Sequence, residues 1–204
     1  MAASPRRSPL ALAVLATLLE APMHPYRMQQ LIKERGKEEV INVRQRASIY
    51  QTIDRLLRDG LVAVRETERD ENWPERTVYE LTPAGRQLIT GWVREMLSAP
   101  ARDYPEFPAA LAYMMLLEPA DAAAQLRARA DTLAAELDRV GAGLAAARYL
   151  PRIVLIEDEY RIALLRAELS WLTAVIAELR EGTLSWDEAQ LREVAARYSP
   201  ATGS

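Results

Sequence analysis

The chain has no cysteine. That excludes disulfide scaffolds, thiolate nucleophiles and every zinc or iron–sulfur site built on sulfur. It fits the reducing cytosol, where the protein is expected to reside. A single histidine, His24, excludes a multi-histidine metal centre. Lysine is nearly missing too: of 26 basic residues only Lys33 and Lys37 are lysines. The cationic chemistry is therefore almost wholly guanidinium, which can grip a phosphate or a base edge with two donors at once. No apolar run reaches the roughly 18 residues a spanning helix needs, so no membrane partner is expected. The stretch Leu10–Leu19, preceded by Arg6 and Arg7, resembles the start of an export signal. Glu20 interrupts it, however, and Ser8-Pro9 reads as a helix cap and first turn, so an internal helix is expected.

The remaining composition is that of a globular protein, with 50% hydrophobic and 27% charged residues among 204. The net charge of -3 is unevenly spread: residues 1–96 carry +2 and residues 97–204 carry -5. A polyanion would meet the first part.

Apolar spacing predicts a helix over Pro9–Glu20 and a second from Pro25 to Gly36, with His24 capping or packing at its start. The polar stretch Lys37–Arg46 holds a short extended piece at Val40–Val43. Ile49, Ile53, Leu56 and Leu57 recur at i, i+4, i+7 and i+8, one face of a third helix that Gly60 ends. Two strands, Leu61–Thr67 and Arg76–Leu81, flank a charged loop, Glu68–Glu75, in which Trp73-Pro74 shapes the turn. Thr82-Pro83 caps a fourth helix carrying Leu88, Ile89, Trp92 and Val93.

Ser98–Pro108, with Pro100, Pro105 and Pro108, reads as a linker, which divides the chain into 1–96, 97–108 and 109–204. Beyond it the pattern is helical. Ala109–Leu117 is short and apolar. One long helix repeats Leu126, Ala130, Leu133, Leu137, Val140 and Leu144; another, after Leu150-Pro151, repeats Ile162, Leu165, Leu169, Leu172, Ile176 and Leu179. The latter carries a second stripe, Tyr160, Leu164, Trp171 and Val175. Its apolar surface is wider than one partner covers, so a homodimer is expected, with Leu165, Leu169, Leu172, Ile176 and Leu179 at its interface.

Three helices followed by a hairpin is the element order of a winged helix-turn-helix, whose third helix enters the major groove of duplex DNA. The fold class expected is thus mainly α, with a two-stranded wing and an all-helical dimerisation domain. The side of helix three opposite its apolar face offers Ala47, Ser48, Gln51, Arg55 and Arg58. Gln51 has the reach to pair with adenine, Arg46 or Arg55 to fork onto guanine or phosphate, and Ser48 to meet a phosphate oxygen. Tyr50 lies at the border of the buried face. Arg65, Arg69 and Arg76 are the hairpin's candidates for the DNA backbone, although Glu66, Glu68, Asp70, Glu71 and Glu75 intervene. No enzymatic site is expected and no cofactor: the acidic run Glu157–Glu159 has no histidine, cysteine or phosphate loop around it. A non-enzymatic helical adaptor is the alternative, distinguished by needing no salt-sensitive DNA affinity.

Three runs in order, PMHPYRMQQLI (22–32), ASIYQTIDRLLRDGLV (47–62) and ERTVYELTPAGRQLI (75–89), resemble the PadR family of transcriptional regulators. The likeness spans roughly residues 10–92, and the helical remainder is similar to the dimerising half of longer members. It implies a dimeric repressor relieved by a small, frequently phenolic or toxic, organic effector. Tyr50 falls where the family keeps a DNA-contacting tyrosine, Tyr26 where it keeps a helix-two aromatic, and Thr82, Ala84 and Gly85 match its T-x-A-G junction. Trp92 falls where some members stack an aromatic on flat ligands, which makes it a candidate effector contact; it is as readily explained by packing. Pro25 stands where glycine is usual, and suits a first helical turn.

Overall fold

The computed structural model describes residues 7–41, 46–70, 73–100 and 104–198. The chain divides into two compact units, Met1–Arg102 and Asp103–Ser204.

In the first unit the chain forms α1 (Pro9–Glu20), α2 (Pro25–Glu34), a 3-10 turn (Lys37–Glu39), α3 (Arg46–Arg58), the strands β1 (Val62–Asp70) and β2 (Trp73–Leu81), and α4 (Pro83–Ser98). The Leu10–Leu19 stretch is a core helix. Its N-cap Ser8 Oγ accepts from the Ala11 N–H at 3.1 Å, and Ala11, Val14, Leu15 and Leu18 are buried. His24 caps α2, its Nδ1 accepting from the Tyr26 N–H at 3.1 Å, with Pro25 buried in the first turn. Met28 of α2 and Ile49, Ile53 and Leu56 of α3 complete the interior with Leu15. At about 25 cal/mol per Å² of apolar surface, these side chains supply most of what holds the unit together.

Two expectations change here. Val40 has helical-region backbone angles (φ -110°, ψ -12°) rather than extended ones, because it closes the 3-10 turn through its N–H to Lys37 C=O. Residues 42–45 lie outside the described residues. The hairpin is also longer than its apolar residues suggested: strand pairing runs through the charged segment to Asp70↔Trp73, with register shifts between Val64 and Glu66 and between Glu68 and Asp70. Backbone pairing, not side-chain alternation, carries the ladder outward. The wing is tied to the helices by Met23, which exchanges two backbone hydrogen bonds with Tyr79 of β2 (3.0 and 3.1 Å).

Thr82 joins three elements. Its Oγ1 accepts from the Gly85 N–H at 3.1 Å and lies within donating distance of the Gly60 and Leu61 carbonyls (2.9 and 3.0 Å). Removing the hydroxyl in Thr82→Ala is expected to cost the unit about 1–2 kcal/mol, the upper range for an N-cap because a carbonyl also loses its donor. Urea unfolding checks it, and an unchanged midpoint would contradict the assignment.

The second unit comprises α5 (Glu106–Ala112), a 3-10 turn (Met114–Leu116), α6 (Pro119–Ala146), α7 (Arg152–Glu181) and α8 (Glu188–Tyr198). α5 begins inside the stretch expected to be linker, with Pro108 in its first turn, where a missing N–H costs no helical bond. α6 and α7 are antiparallel, as their ion pairs require: Arg129–Glu168 and Arg161–Glu136, both 2.6 Å, step in opposite directions along the two helices.

This hairpin corrects the dimer-interface assignment. Leu165, Leu172, Ile176 and Leu179 are buried within the single chain, and Leu169 is partly buried beside them. The three-and-four seam of α7 finds its partner in α6, so these residues form the subunit's own core. What stays uncovered is the other stripe: Tyr160, Leu164 and Trp171, continued toward the helix start by Ile153 and Ile156, are all exposed. At 100° per residue these five positions fall on one side of α7.

Candidate nucleic-acid interface

The physical chemistry of α3 decides which of its residues can meet a ligand. Ile49, Ile53 and Leu56 are withdrawn into the core, and Thr52 with them. The Thr52 hydroxyl is satisfied locally, donating to the Ser48 carbonyl at 2.7 Å. The uncovered side is one continuous stripe: Ala47, Tyr50, Gln51, Asp54 and Arg58 are exposed, with Tyr50 at 44%. Tyr50 thus stands on the open face, not at its buried border.

The other predicted contacts separate. Ser48 is half-buried. Arg55 is half-buried as well, and its Nη2 approaches the Ser8 Oγ at 3.5 Å, drawing the guanidinium toward the start of α1. Arg46 begins α3, but its side chain lies outside the described residues, as do those of Arg69 and Arg76. Arg76 is placed by the backbone opposite Glu68, in the outer part of the hairpin. Arg65 is exposed on β1. Sequence reasoning missed Asp54, an acid in the middle of the open stripe. The 3.6-residue period pointed to it, since Asp54 follows Gln51 by three residues and Ala47 by seven.

Tyr79 of β2 sits behind this helix. Burial, reinforced by the Asp54 carboxylate, pushes its phenol above the ordinary tyrosine range. It therefore stays a neutral hydroxyl at any physiological pH. Arg35 at the end of α2 holds Glu20 of α1 through two hydrogen bonds (2.5 and 2.8 Å), which lowers the glutamate's pKa. Both groups are about half exposed, so the pair fixes orientation more than it adds stability.

Trp92 of α4 is 4% exposed, in the same core cluster as Leu15 and Ile89. Its ring is enclosed by packing in this unit. Among the described residues no group of three His, Asp or Glu side chains could hold a metal ion. Nor is any helix of them long and apolar enough to cross a membrane.

An open polar stripe on the third helix, followed by a two-stranded hairpin tied to Met23 ahead of α2, is a winged-helix arrangement. Residues 14–90 match the sequence profile of the Transcriptional regulator PadR-like family. The chain carries the winged-helix unit of the PadR-like family. Solved structures extend the likeness in fold to both units. Bacillus subtilis PadR in complex with operator DNA superposes with a TM-score of 0.67 at 18% identity, covering 85% of this chain and 99% of that one. The same protein in complex with p-coumaric acid gives 0.64 at 16%, covering 86% and 99%. The Vibrio cholerae virulence activator AphA gives 0.65 at 18%, covering 84% and 98%. Curated protein sequences give no match. Within the matched residues, Thr82 and Gly85 form the junction where the end of α3, the wing and α4 meet.

Proposed function

We propose that this PadR-like regulator is a cytoplasmic homodimeric repressor that binds duplex DNA sequence-specifically and releases it when a small organic effector binds. The observation that carries the DNA reading is the uncovered stripe of α3, polar at Gln51 and aromatic at Tyr50, beside a wing with the exposed Arg65. Gln51 is the reader of base edges. Tyr50, Ser48, Arg46 and Arg55 serve the phosphates flanking it, and Arg65, Arg69 and Arg76 the backbone along the wing. The fold likeness to a regulator solved on operator DNA supports this reading, and the p-coumaric acid complex of the same regulator supports an effector. Trp92 belongs to the proposal as a core anchor of α4.

Two copies supply the symmetry that paired half-sites require. The exposed stripe Ile153, Ile156, Tyr160, Leu164 and Trp171 on α7 is the surface the second copy would cover. Likeness to a virulence activator favours a second reading, activation, which a reporter fused to the bound promoter separates from repression by the sign of the response.

Gln51→Ala tests the central claim. Gln51 is exposed, so the fold should be untouched, while operator affinity should fall by about 1–3 kcal/mol, roughly 5-fold to 150-fold. The same titrations repeated across salt concentrations should show affinity falling steeply for wild type. A salt-insensitive complex, or one indifferent to Gln51, would favour the adaptor reading instead.

A further inference from the structure

The second unit holds a cavity that the DNA-binding reading does not use. It lies between the short segment 106–117 and the start of α6, has a volume of about 400 Å³, and is walled by Leu111, Met114 and Leu117 on one side and Leu126 on the other. That volume falls within the range of small-molecule sites, and the wall is overwhelmingly apolar, with Gln125, Arg129 and the phenol of Tyr113 as its polar members.

The roof of this cavity is lightly committed. Neither α5 nor the 3-10 turn after it buries a single side chain completely. Two directional contacts tie its ends. Phe107 lies beneath the Arg129 guanidinium, 3.7 Å from its ring centroid, and meets Trp171 edge-on at 6.2 Å. At the other end the Trp186 indole N–H donates to the Leu117 carbonyl at 2.9 Å. Between these ties Leu111 and Met114 rest only in part on the core and in part line the cavity, short of the close packing found in a protein interior.

We infer that this cavity is a binding site for a compact apolar molecule carrying one uncharged hydrogen-bonding end. The polar groups on its wall choose that chemistry. Arg129 already gives its Nε–H to Glu168 at 2.6 Å and stacks on Phe107, so it presents little unbalanced charge to attract an anion. Gln125 uses its Nε2 on Asp121 at 2.9 Å; an amide so engaged retains its carbonyl oxygen for a donor. The hollow is half-open and lies against the start of α6, with a volume that matches a small molecule. Phe107 is a wall of the cavity and also the neighbour of Trp171, which stands on the exposed stripe of α7. An occupant that shifts Phe107 thereby alters the face that meets a second copy. That consequence for DNA binding rests on the regulator reading; the site does not.

The full chain titrated with N-phenyl-1-naphthylamine tests the site. This probe is an apolar diarylamine, a naphthyl and a phenyl group joined by one N–H donor, and it brightens on leaving water. Saturable uptake of one probe per chain is expected. Ala110→Trp and Gln125→Trp, at exposed positions that line the cavity, should each weaken it about tenfold or more by filling the space. Ala128→Trp, exposed on α6 but away from the cavity, should leave it unchanged. Uptake undiminished by both filling variants overturns the site, and so does equal loss in Ala128→Trp. Absence of saturable uptake by the wild-type chain, including at dilutions where it is monomeric, overturns it too. Uptake behaving as expected with operator affinity unmoved by the probe upholds the site and instead sinks the effector reading of it.

Discussion

Gly85→Ala is expected to lower the stability of the winged-helix unit by about 2–3 kcal/mol, roughly 10 °C in its unfolding midpoint. A Cβ at this position would lie 2.2 Å from the Leu61 carbonyl oxygen, 3.1 Å from its carbon and 2.7 Å from the Leu81 Cδ1. The leucine side chain can turn aside; the carbonyl cannot. Leu61 is the hinge between α3 and β1, its N–H bonded to the Leu56 carbonyl at 2.9 Å and its own carbonyl accepting from the Thr82 N–H at 3.2 Å. Moving it displaces the wing from α3, so if α3 reads DNA as proposed, operator affinity should fall together with stability. Gly91→Ala on the same helix is the internal control. Nothing lies within 4 Å of a Cβ there, and the residue is exposed. That change should stabilise by about 0.5–1 kcal/mol, because a helical glycine surrenders more backbone entropy than alanine. Thermal unfolding of the pair decides the matter: equal midpoints would mean that α4 and Leu61 are not in the contact described.

The contrast between these glycines shows where the sequence is legible. α1, the apolar face of α3, the His24 cap and the Thr82 cap are local features, dictated by spacing and by hydrogen-bonding types within one turn, and each is written in the residues that form it. Gly60, at φ +69°, is of the same kind, since a left-handed backbone after a helix selects glycine whatever lies around it. Gly85 is different: its requirement comes from a carbonyl 24 residues earlier in the chain, and only the assembled structure reveals it. The hairpin's reach has a similar origin, because strand pairing of the charged segment depends on the partner strand. In the candidate interface, the period located Gln51, and Tyr50 on the open side followed from the fold. The turn of Arg55 toward Ser8 joins residues 47 apart, and no spacing rule relates them. The cavity beneath α5 left no mark on the sequence, being defined by atoms that are not there.

The heptad-like seam of α7 was readable as a seam, but its destination was not, since the same period serves a partner helix in the same chain or in another. Two substitutions on this helix now separate the cases. Leu172→Asp is expected to unfold the second unit. Leu172 is fully buried among Leu126, Ile176 and Leu179, so the change removes its burial and places a carboxylate where no water reaches. The loss is about 4 kcal/mol or more, a large part of the roughly 5–15 kcal/mol that stabilises a typical domain. Unfolding should appear at any protein concentration, as loss of helical circular dichroism. Leu164→Asp acts on the outer stripe. Leu164 is 53% exposed, so the isolated subunit should change by less than about 0.5 kcal/mol. If two copies meet through this stripe, however, the carboxylate is desolvated between them, and the dimer constant should weaken about a hundredfold. Sedimentation velocity should then give a folded monomer at concentrations where the wild type is a dimer, with operator binding lost because one copy reads only a half-site. A Leu164→Asp chain that keeps the wild-type mass would move the dimer contact off this face of α7. A Leu172→Asp chain that stays helical and merely dissociates would return the inner seam to the interface.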